Sequence, residues 1–504
     1  MKRKRGCIRF AAVLICVLVF SVAAYAEKQD EIVVNPSSAP LTQEEMHSMV
    51  EEAAAAFYRN EDLQSELKSE IRMLHEVIPT DYYEPQEWDF YALTHGGNTM
   101  QFLMDIIGEP DENGRYPLFI SLHGGGGAPA ELNNEQWLIM FDYYNYAVES
   151  GIYIACRGIT DTWNLHFQDE SYPLYDRLIE TMVVLCGADP DRVYLLGFSA
   201  GGDGVYQIVP RLADRFAAAN MSSGHPNGVS LLNLSNCPII LQAGIRDYYS
   251  EDAMRSVRAA EFDKTLSEYR EKYGFGYEHK VFIHVPCGHN YIDYEDCTST
   301  VLKEPAAFAA RAAGDDMPGV FLDVMESCGM PRDITALSYY APEENSDPLS
   351  IGIAEAVTET LGLETTEANT NAVRCVSQYT RDPAPDRIVW DLSTRAQLRE
   401  SNSFYWLEAD PSVNQGTITA VFDTSSNTIT VEPDADVNGD FAILFHPSLV
   451  DVSRPVTIKT GENTVTVRVN PSREFLEASM LEKGDPELAC VGKIMYSTIV
   501  SPDR

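Results

Sequence analysis

The stretch "RVYLLGFSAGG", residues 192–202, carries an apolar run into a single serine with glycines on both sides. The run before Gly197 has the composition of a buried strand, and the residues after Ser199 have the pattern of a helix. A serine hydroxyl becomes a good nucleophile only when a base takes its proton and a sharp turn exposes its oxygen. Gly197 and Gly201 would let strand and helix approach closely at that turn. The short pattern also occurs by chance, so its context decides, and that context predicts a nucleophile elbow at Ser199.

Residues 99 to about 314 alternate short apolar runs with longer helical patterns. The helix-like stretches lie at 131–150, 172–187, 200–213, 252–272 and 300–312, and the apolar runs are "MQFLMDII", "YPLFISL", "GIYIACR", "RVYLLG", "FAAANMS", "PIILQAG" and "KVFIHVP". Apolar strands that alternate with helices indicate a mostly parallel sheet covered on both faces. The predicted fold class is therefore α/β.

A glycine-rich loop follows one of the earlier strands, in "FISLHGGGGAP" at residues 119–129. A tetrahedral oxyanion needs two backbone N–H donors, one from the residue after the nucleophile and one from such a loop. We therefore predict an oxyanion hole formed by the amides of Ala200 and of Gly125 or Gly126. A merely flexible glycine loop is the alternative.

The acid and the base of a serine nucleophile should follow it in the order acid, then histidine, each after a later strand. "PIILQAGIRD" places Asp247 directly after one strand, and "KVFIHVPCGH" places His289 directly after the next. The order Ser199, Asp247, His289 satisfies the rule. Glu251 and Asp252 are alternative acids in the same loop.

Four further side chains lie in loops that should emerge at the carboxyl edge of the sheet, where open α/β folds bind ligands. They are candidate substrate-binding residues, with an ordinary structural role as the alternative: Trp163, Asn164, His166 and His225.

With "LHGGGG", "DPDRVYLLGFSAGG", "FAAANMSSGHP", "GIRD" and "CGHN" in this order, residues 99 to about 312 resemble the α/β-hydrolase superfamily. Within it, they are similar to prolyl-oligopeptidase-like serine hydrolases and to secreted esterases of the polyhydroxybutyrate depolymerase and feruloyl esterase group. The resemblance implies an acyl-enzyme path: Ser199 attacks a carbonyl, His289 carries the proton and Asp247 orients the imidazole. It implies no metal and no organic cofactor.

Three functions are compatible with these motifs. The first is hydrolysis of carboxylic esters, such as acyl or feruloyl groups on polysaccharides or other small esters. The second is a serine peptidase, which a pocket acid able to hold a substrate amino terminus would favour. The third is a binding protein on a hydrolase scaffold, which the presence of all three candidate residues disfavours. No β-propeller pattern precedes the sheet, and this favours an open site over a gated oligopeptidase.

The first 26 residues combine a basic start, an apolar stretch and the sequence Ala24-Tyr25-Ala26. This pattern predicts a secretory signal peptide that is cut after Ala26, and hence a protein that is secreted or associated with the cell envelope. An uncleaved membrane anchor is the alternative, although the apolar run is shorter than the roughly 20 residues that span a bilayer. We expect no stable membrane partner after cleavage.

The chain of 504 residues carries a formal net charge of −39, which disfavours binding to nucleic acid and to anionic membranes. None of its 10 cysteines forms a C-x-x-C pair, so no zinc site is expected.

The pattern of apolar and polar residues also divides the chain into five segments. After the signal peptide we predict a helical extension at 27–85, in which 41–78 forms one or two amphipathic helices that end at Pro79. The catalytic domain follows at 86–314 and a mixed linker or cover segment at 315–384. Residues 385–504 switch to a period of two and predict a β-sandwich-like accessory domain. Its aromatic residues Trp390, Tyr405 and Trp406 either bind carbohydrate or pack in its core.

Overall fold

The computed structural model describes residues 32–247, 254–289, 293, 298–314, 316–333 and 348–501. The predicted signal peptide and the alternative acids Glu251 and Asp252 lie outside the described residues. No helix in the described ranges combines the length and the apolar character that a membrane crossing requires.

Twenty-one strands form three sheets in the described chain. In chain order they are β1 Ile32–Val34, β2 Ile71–Ile78, β3 Gln86–His95, β4 Asn98–Ile107, β5 Tyr116–Leu122, β6 Gly151–Cys156, β7 Ala188–Phe198, β8 Ala218–Ser222, β9 Ile239–Gly244, β10 His279–His284, β11 Thr298–Leu302, β12 Thr365–Asn369, β13 Arg387–Asp391, β14 Ser403–Phe404, β15 Leu407–Ala409, β16 Thr417–Asp423, β17 Thr428–Pro433, β18 Phe441–Leu444, β19 Val456–Thr460, β20 Asn463–Val469 and β21 Lys493–Met495.

The helices alternate with these strands through the first two thirds of the chain. They are α1 Gln43–Tyr58, α2 Glu61–Glu70, α3 Ala130–Asn145, α4 Ser171–Leu185, α5 Ala200–Ile208, α6 Arg255–Tyr273, α7 Pro305–Ala312, α8 Met317–Ser327, α9 Pro348–Leu361, α10 Ala372–Val376, α11 Arg473–Lys483 and α12 Tyr496–Val500. Short 3₁₀ turns occupy Val209–Arg211, Ala213–Arg215, Leu232–Asn236 and Pro486–Leu488.

The large sheet has eleven strands in the order β12-β11-β10-β9-β8-β7-β5-β6-β4-β3-β2. Its six central strands, from β10 to β6, run parallel, and antiparallel strands flank them on both sides. The central strands are almost wholly buried, as expected for a parallel sheet with helices on both faces. The predicted α/β class is confirmed.

The strand register brings the carboxyl ends of the central strands to one edge. Leu122 at the end of β5 pairs with Gly197 of β7, and Phe198 pairs with Ser222 at the end of β8. The glycine loop, the elbow and the loop after β8 therefore meet at this edge, which is where ligands bind in open α/β sheets.

The prediction of helix throughout 41–78 is wrong in its last part. Thr42 precedes helix α1 and forms a capping box with Glu45, and α2 ends at Glu70, but Ile71–Ile78 forms strand β2. All eight residues of β2 pair with β3, and these long-range hydrogen bonds override a local pattern that suits a helix. The segment predicted as an extension thus supplies the edge strand of the large sheet.

The predicted helical stretch at 300–312 also begins too early. Residues Thr298–Leu302 form strand β11, which pairs with both β10 and β12, and the helix starts at Pro305. Strand β12, from the segment predicted as a linker or cover, closes this edge of the large sheet.

The C-terminal region forms two sheets, of which the first is completed by β1 from residues 32–34. The first has six strands in the order β1-β20-β19-β17-β16-β13, and the second has four in the order β14-β15-β18-β21. Their inner faces share a core, in which Trp406 meets Phe422 edge to face with ring centroids 6.2 Å apart. Trp390, Tyr405 and Trp406 are all at most 2% exposed. The alternative that these three aromatics bind carbohydrate is therefore wrong, because they are core residues.

A buried cluster of charges joins the β-rich region to the catalytic domain. Arg215 lies against Asp176 and Asp485, and Arg381 lies 2.8 Å from Asp485. Arg399 completes the cluster by binding Asp176 and Asp214. We refer to these six residues as the interdomain charge cluster.

Candidate active site

Ser199 sits at the tip of a sharp turn between β7 and α5. Its backbone has φ 58° and ψ −119°, a left-handed conformation that is strained for a residue with a side chain. The Ser199 N–H donates to the carbonyl of Ser222 at 2.9 Å, and the Ser199 carbonyl accepts the first hydrogen bond of α5, from Asp203. These contacts hold the hydroxyl above the edge of the sheet.

The flanking glycines are required by close backbone approach. A Cβ atom on Gly197 would lie 2.3 Å from the carbonyl oxygen of Gly201, and one on Gly201 would lie 2.0 Å from that of Leu122. No side chain fits at either position. The spacing of the two glycines thus follows from the packing of the helix start against β5 and β7.

The structure brings the three predicted catalytic residues into one hydrogen-bonded chain. The Ser199 Oγ lies 2.9 Å from Nε2 of His289, and Nδ1 of His289 lies 2.9 Å from Oδ2 of Asp247. Because an ionised carboxylate can only accept, the Nδ1–H donates to Asp247 and Nε2 is left to accept the serine proton. This is the arrangement by which a histidine activates a serine.

Asp247 is fully buried and remains ionised. Burial opposes its charge, but His289 and Arg255 outweigh burial and hold the pKa of the carboxyl below its ordinary value. Arg255 Nη1 approaches the second carboxylate oxygen at 3.2 Å. The acid is thus positioned to orient the imidazole and to stabilise it when it gains a proton.

The glycine loop packs directly against the elbow. Gly125, Gly126 and Gly127 have φ values of 95°, 82° and 62°, which only glycine adopts readily. The amides of Gly125 and Ala200 meet no acceptor within the described chain, and Ala200 begins α5, where the N–H groups lack helical partners. These two predicted donors are therefore available to an oxyanion.

The third predicted donor, Gly126, is already engaged. Its N–H donates to Oδ1 of Asn133 at 2.9 Å, so this amide shapes the loop and is not available to an oxyanion in this conformation. The fully buried Asn133 also donates to Asp161, which in turn binds Arg157.

The sequence analysis missed the clamp formed by Asn133, Asp161 and Arg157. The only signal for it was a polar residue in the first turn of the helix that follows the glycine loop, a position that usually faces solvent.

His166, a predicted substrate-binding residue, is buried and supports the glycine loop from below. Its Nε2 lies 2.9 Å from the carbonyl oxygen of His123, and Nε2 of His123 accepts the N–H of Gly158. Burial lowers the pKa of His166 to about 3 and that of His123 well below its ordinary value, so both imidazoles are neutral. His166 is only 1% exposed and does not reach the open side of the site.

The other three predicted substrate-binding residues lie nearer the surface. Trp163 is 58% exposed, packs edge to face on Phe167 and borders the glycine loop at Gly127. Asn164 accepts a hydrogen bond from Thr162. The backbone N–H of His225 donates to Asp203 at 2.7 Å, and its ring contacts Asn227.

The chain has the α/β-hydrolase fold with an additional β-rich domain. This follows from the topology of the large sheet, from the elbow after β7 and from the chain order of Ser199, Asp247 and His289. No group of three or more side chains able to hold a metal ion occurs among the described residues.

No protein-family model matches the chain, and no curated protein matches it significantly. Among solved structures, it is similar to a thermostable esterase at 17% identity and a TM-score of 0.29, over 42% of this chain and 62% of that one. For esterase 2 of Thermogutta terrifontis the identity is 12% and the TM-score 0.28, over 42% and 81%. For a puromycin-hydrolysing peptidase of Mycobacterium tuberculosis they are 15% and 0.27, over 49% and 39%.

The chain thus spans less than two thirds of the first and third of these proteins. The similar structures include both esterases and peptidases.

Proposed function

We propose that the protein is a serine hydrolase that cleaves carboxylic esters through an acyl-enzyme on Ser199. The observation that carries the proposal is the continuous hydrogen-bonded chain from Ser199 through His289 to Asp247, beside two unengaged backbone amides. In this mechanism His289 Nε2 takes the hydroxyl proton while the Ser199 Oγ attacks the ester carbonyl. The amides of Ala200 and Gly125 then stabilise the oxyanion.

The proton that His289 holds passes next to the leaving alcohol, and the acyl group remains on Ser199. Water enters, loses a proton to the same imidazole and attacks the acyl carbonyl, which releases the carboxylic acid and restores the serine. Asp247 keeps its charge throughout and stabilises the imidazolium in both steps. In these steps the groups of this chain that exchange protons are the Ser199 hydroxyl and the His289 imidazole.

A serine peptidase is the alternative, since the same residues can acylate on an amide. An aminopeptidase-type site needs a carboxylate that holds the substrate amino terminus. Asp203 lies one turn of helix from Ser199, but its two oxygens already accept from the His225 backbone and from Asn227 Nδ2. Asp203 is therefore not free to hold a substrate amino terminus, which favours ester hydrolysis over aminopeptidase activity. We further propose that the enzyme acts outside the cytoplasm, on small esters or on esters attached to polysaccharides, as the basic and apolar first segment suggests.

The test is labelling with a fluorophosphonate probe, followed by mass spectrometry, on the wild type and on Ser199→Ala. We expect the probe on Ser199 only, and turnover of p-nitrophenyl esters that falls roughly 10⁴-fold or more in Ser199→Ala. Ser150→Ala, at the opposite edge of the sheet, is the matched control and should keep full activity. Turnover of aminoacyl p-nitroanilides in preference to the esters would replace the esterase with the peptidase. A wild type that takes no probe and turns over neither substrate would refute both.

A further inference from the structure

Asp293 stands four residues after His289 and is fully buried, yet no basic side chain is among its described contacts. Two other buried aspartates have cationic partners. Asp247 faces His289 and Arg255, and Asp485 faces two arginines of the interdomain charge cluster. A buried carboxylate is costly unless it is paired or fully hydrogen-bonded. The burial of Asp293 without a described basic partner therefore needs a physical explanation.

Four neutral donors converge on the Asp293 carboxylate. The Tyr143 hydroxyl donates to Oδ1 at 2.6 Å, and Oδ2 accepts from the Tyr144 hydroxyl at 2.8 Å, from Asn220 Nδ2 at 3.1 Å and from the Ser222 hydroxyl. Burial raises the pKa of this carboxyl above its ordinary value, and the four hydrogen bonds offset only part of the rise. The four donors together occupy both oxygens of the carboxyl group.

These donors belong to the elements that build the active site. Ser222 also supplies the carbonyl that holds the Ser199 N–H. Tyr143 packs against Phe198, whose ring lies 5.3 Å from that of His289. Both tyrosines lie on α3, the helix that carries the Asn133 clamp of the glycine loop.

The Asp293 backbone is anchored as well. Its carbonyl accepts the N–H of Ala372, at the start of α10. Behind the carboxylate, Asn220 continues through Gln242 to His284 and Ser299 in a buried hydrogen-bond network. Burial lowers the pKa of His284 to about 3, so this network supplies no cation. A neutral polar scaffold of described side chains thus receives the Asp293 carboxyl group.

We propose that Asp293 is a positioning residue, which anchors the chain four residues after His289 beside the Ser199 elbow by docking its carboxyl group into this scaffold. The role rests on the proposed function, because it matters only if His289 is the base. Asp293 touches neither substrate nor reacting atoms. It acts through the alignment of the imidazole, and a misplacement of about 1 Å in such a group costs on the order of a hundredfold in rate.

The test compares Asp293→Asn with the wild type on a p-nitrophenyl ester, with rates divided by the concentration of sites titrated by the fluorophosphonate. The amide keeps the size of the carboxyl but turns an N–H₂ group toward at least one donor. We expect kcat to fall about ten- to a hundredfold with KM within about twofold, and the rate of probe labelling to fall in parallel. The downfield proton resonance of the His289–Asp247 hydrogen bond should shift or broaden.

Asp214→Asn is the matched control, because Asp214 is also a buried aspartate but binds Arg399 in the interdomain charge cluster. It should lower the melting temperature and leave kcat per titrated site unchanged. If Asp293→Asn behaves like Asp214→Asn, the carboxylate is only structural and the proposal is overturned.

Tyr144→Phe keeps the test decisive if Asp293→Asn does not fold. It removes one of the four donors, and we expect a smaller fall in kcat, about two- to tenfold, again with KM within about twofold. An unchanged kcat in this variant would overturn the proposal too. These outcomes differ from failure of the proposed function, in which the wild type itself would show neither labelling nor turnover.

Discussion

At position 201 a single methyl group would meet the backbone of the neighbouring strand. The expected Cβ of Gly201→Ala lies 2.0 Å from the Leu122 carbonyl oxygen, which no rotamer change can relieve. We expect the substitution to cost at least about 3 kcal/mol of unfolding free energy, or to push the elbow out of line and abolish ester hydrolysis. Urea unfolding and initial rates would measure the two effects.

Gly352→Ala provides the comparison for that substitution. Gly352 lies within α9, has nothing within 4 Å of the new Cβ and should gain slightly in stability, because alanine is the better helix former. Equal unfolding free energies and initial rates in the two variants would contradict the close approach of α5 to β5.

The charge on Asp247 sets a second expectation at this scale. Its folded-state pKa is held below the ordinary value, so Asp247 keeps its charge down to about pH 4. The acid limb of kcat/KM should therefore contain no step from Asp247 above about pH 4. Asp247→Asn should lower kcat at neutral pH by about 10⁴-fold, since the amide stabilises the wrong imidazole tautomer.

A pH–rate profile from pH 4 to 9 on the wild type and on Asp247→Asn measures both. Asp263→Asn, at a half-buried position of α6 where the carboxylate faces His279, serves as the control and should keep the wild-type profile. A wild-type limb with two protonations would contradict the assignment of Asp247 as the permanently charged acid.

At the scale of elements, the glycine loop depends on helix α3 for its shape. Asn133 accepts the Gly126 N–H and donates to Ala128 and Asp161, so three bonds from one side chain fix the loop. Asn133→Ala should leave the Gly125 amide misaligned for the oxyanion and lower kcat about ten- to a hundredfold, with little change in KM. Asn145→Ala, at the end of the same helix, should have no such effect. Equal kcat in both variants would remove Asn133 from the oxyanion site.

The elements themselves could be predicted where the pattern is local. Strand β5 begins and ends where its apolar run does, and the strand–turn–helix at Ser199 follows from one apolar run and two glycines. Strand β2 could not be predicted, since its eight pairs with β3 outweigh a local pattern that suits a helix.

The contacts of the buried polar groups around the site could not be predicted from the sequence for a related reason. Asp293 binds Tyr143 across 150 positions of the chain, and a period of apolar residues carries no information about such a contact. His166, predicted from its loop to face substrate, instead turns inward because the carbonyl of His123 needs a donor there.

At the scale of the whole molecule, the interdomain charge cluster holds the β-rich domain against the catalytic domain. Asp485 is 1% exposed and lies against Arg215 and Arg381, so Asp485→Asn would leave buried guanidinium charge uncompensated. Breaking such a buried pair costs about 3–5 kcal/mol. We expect the loss in the unfolding transition of the entire chain, because the cluster belongs to both domains. Asp436→Asn, in an exposed turn of the β-rich domain, is the comparison and should stay within about 0.5 kcal/mol of the wild type.

The pKa of Asp485 predicts how the stabilisation by the interdomain charge cluster changes with pH. Burial disfavours the charge of Asp485, but Arg381 and Arg215 outweigh it and hold the pKa of the carboxyl below its ordinary value. A carboxyl with a lowered folded-state pKa stabilises the protein fully above the unfolded value of about 3.9, and loses that contribution as the pH falls through the folded value. The difference in unfolding free energy between wild type and Asp485→Asn should therefore be largest near pH 7 and shrink below about pH 4. Urea unfolding at several pH values measures it, and a difference that grows on acidification would show that Asp485 is not held as an anion by the two arginines.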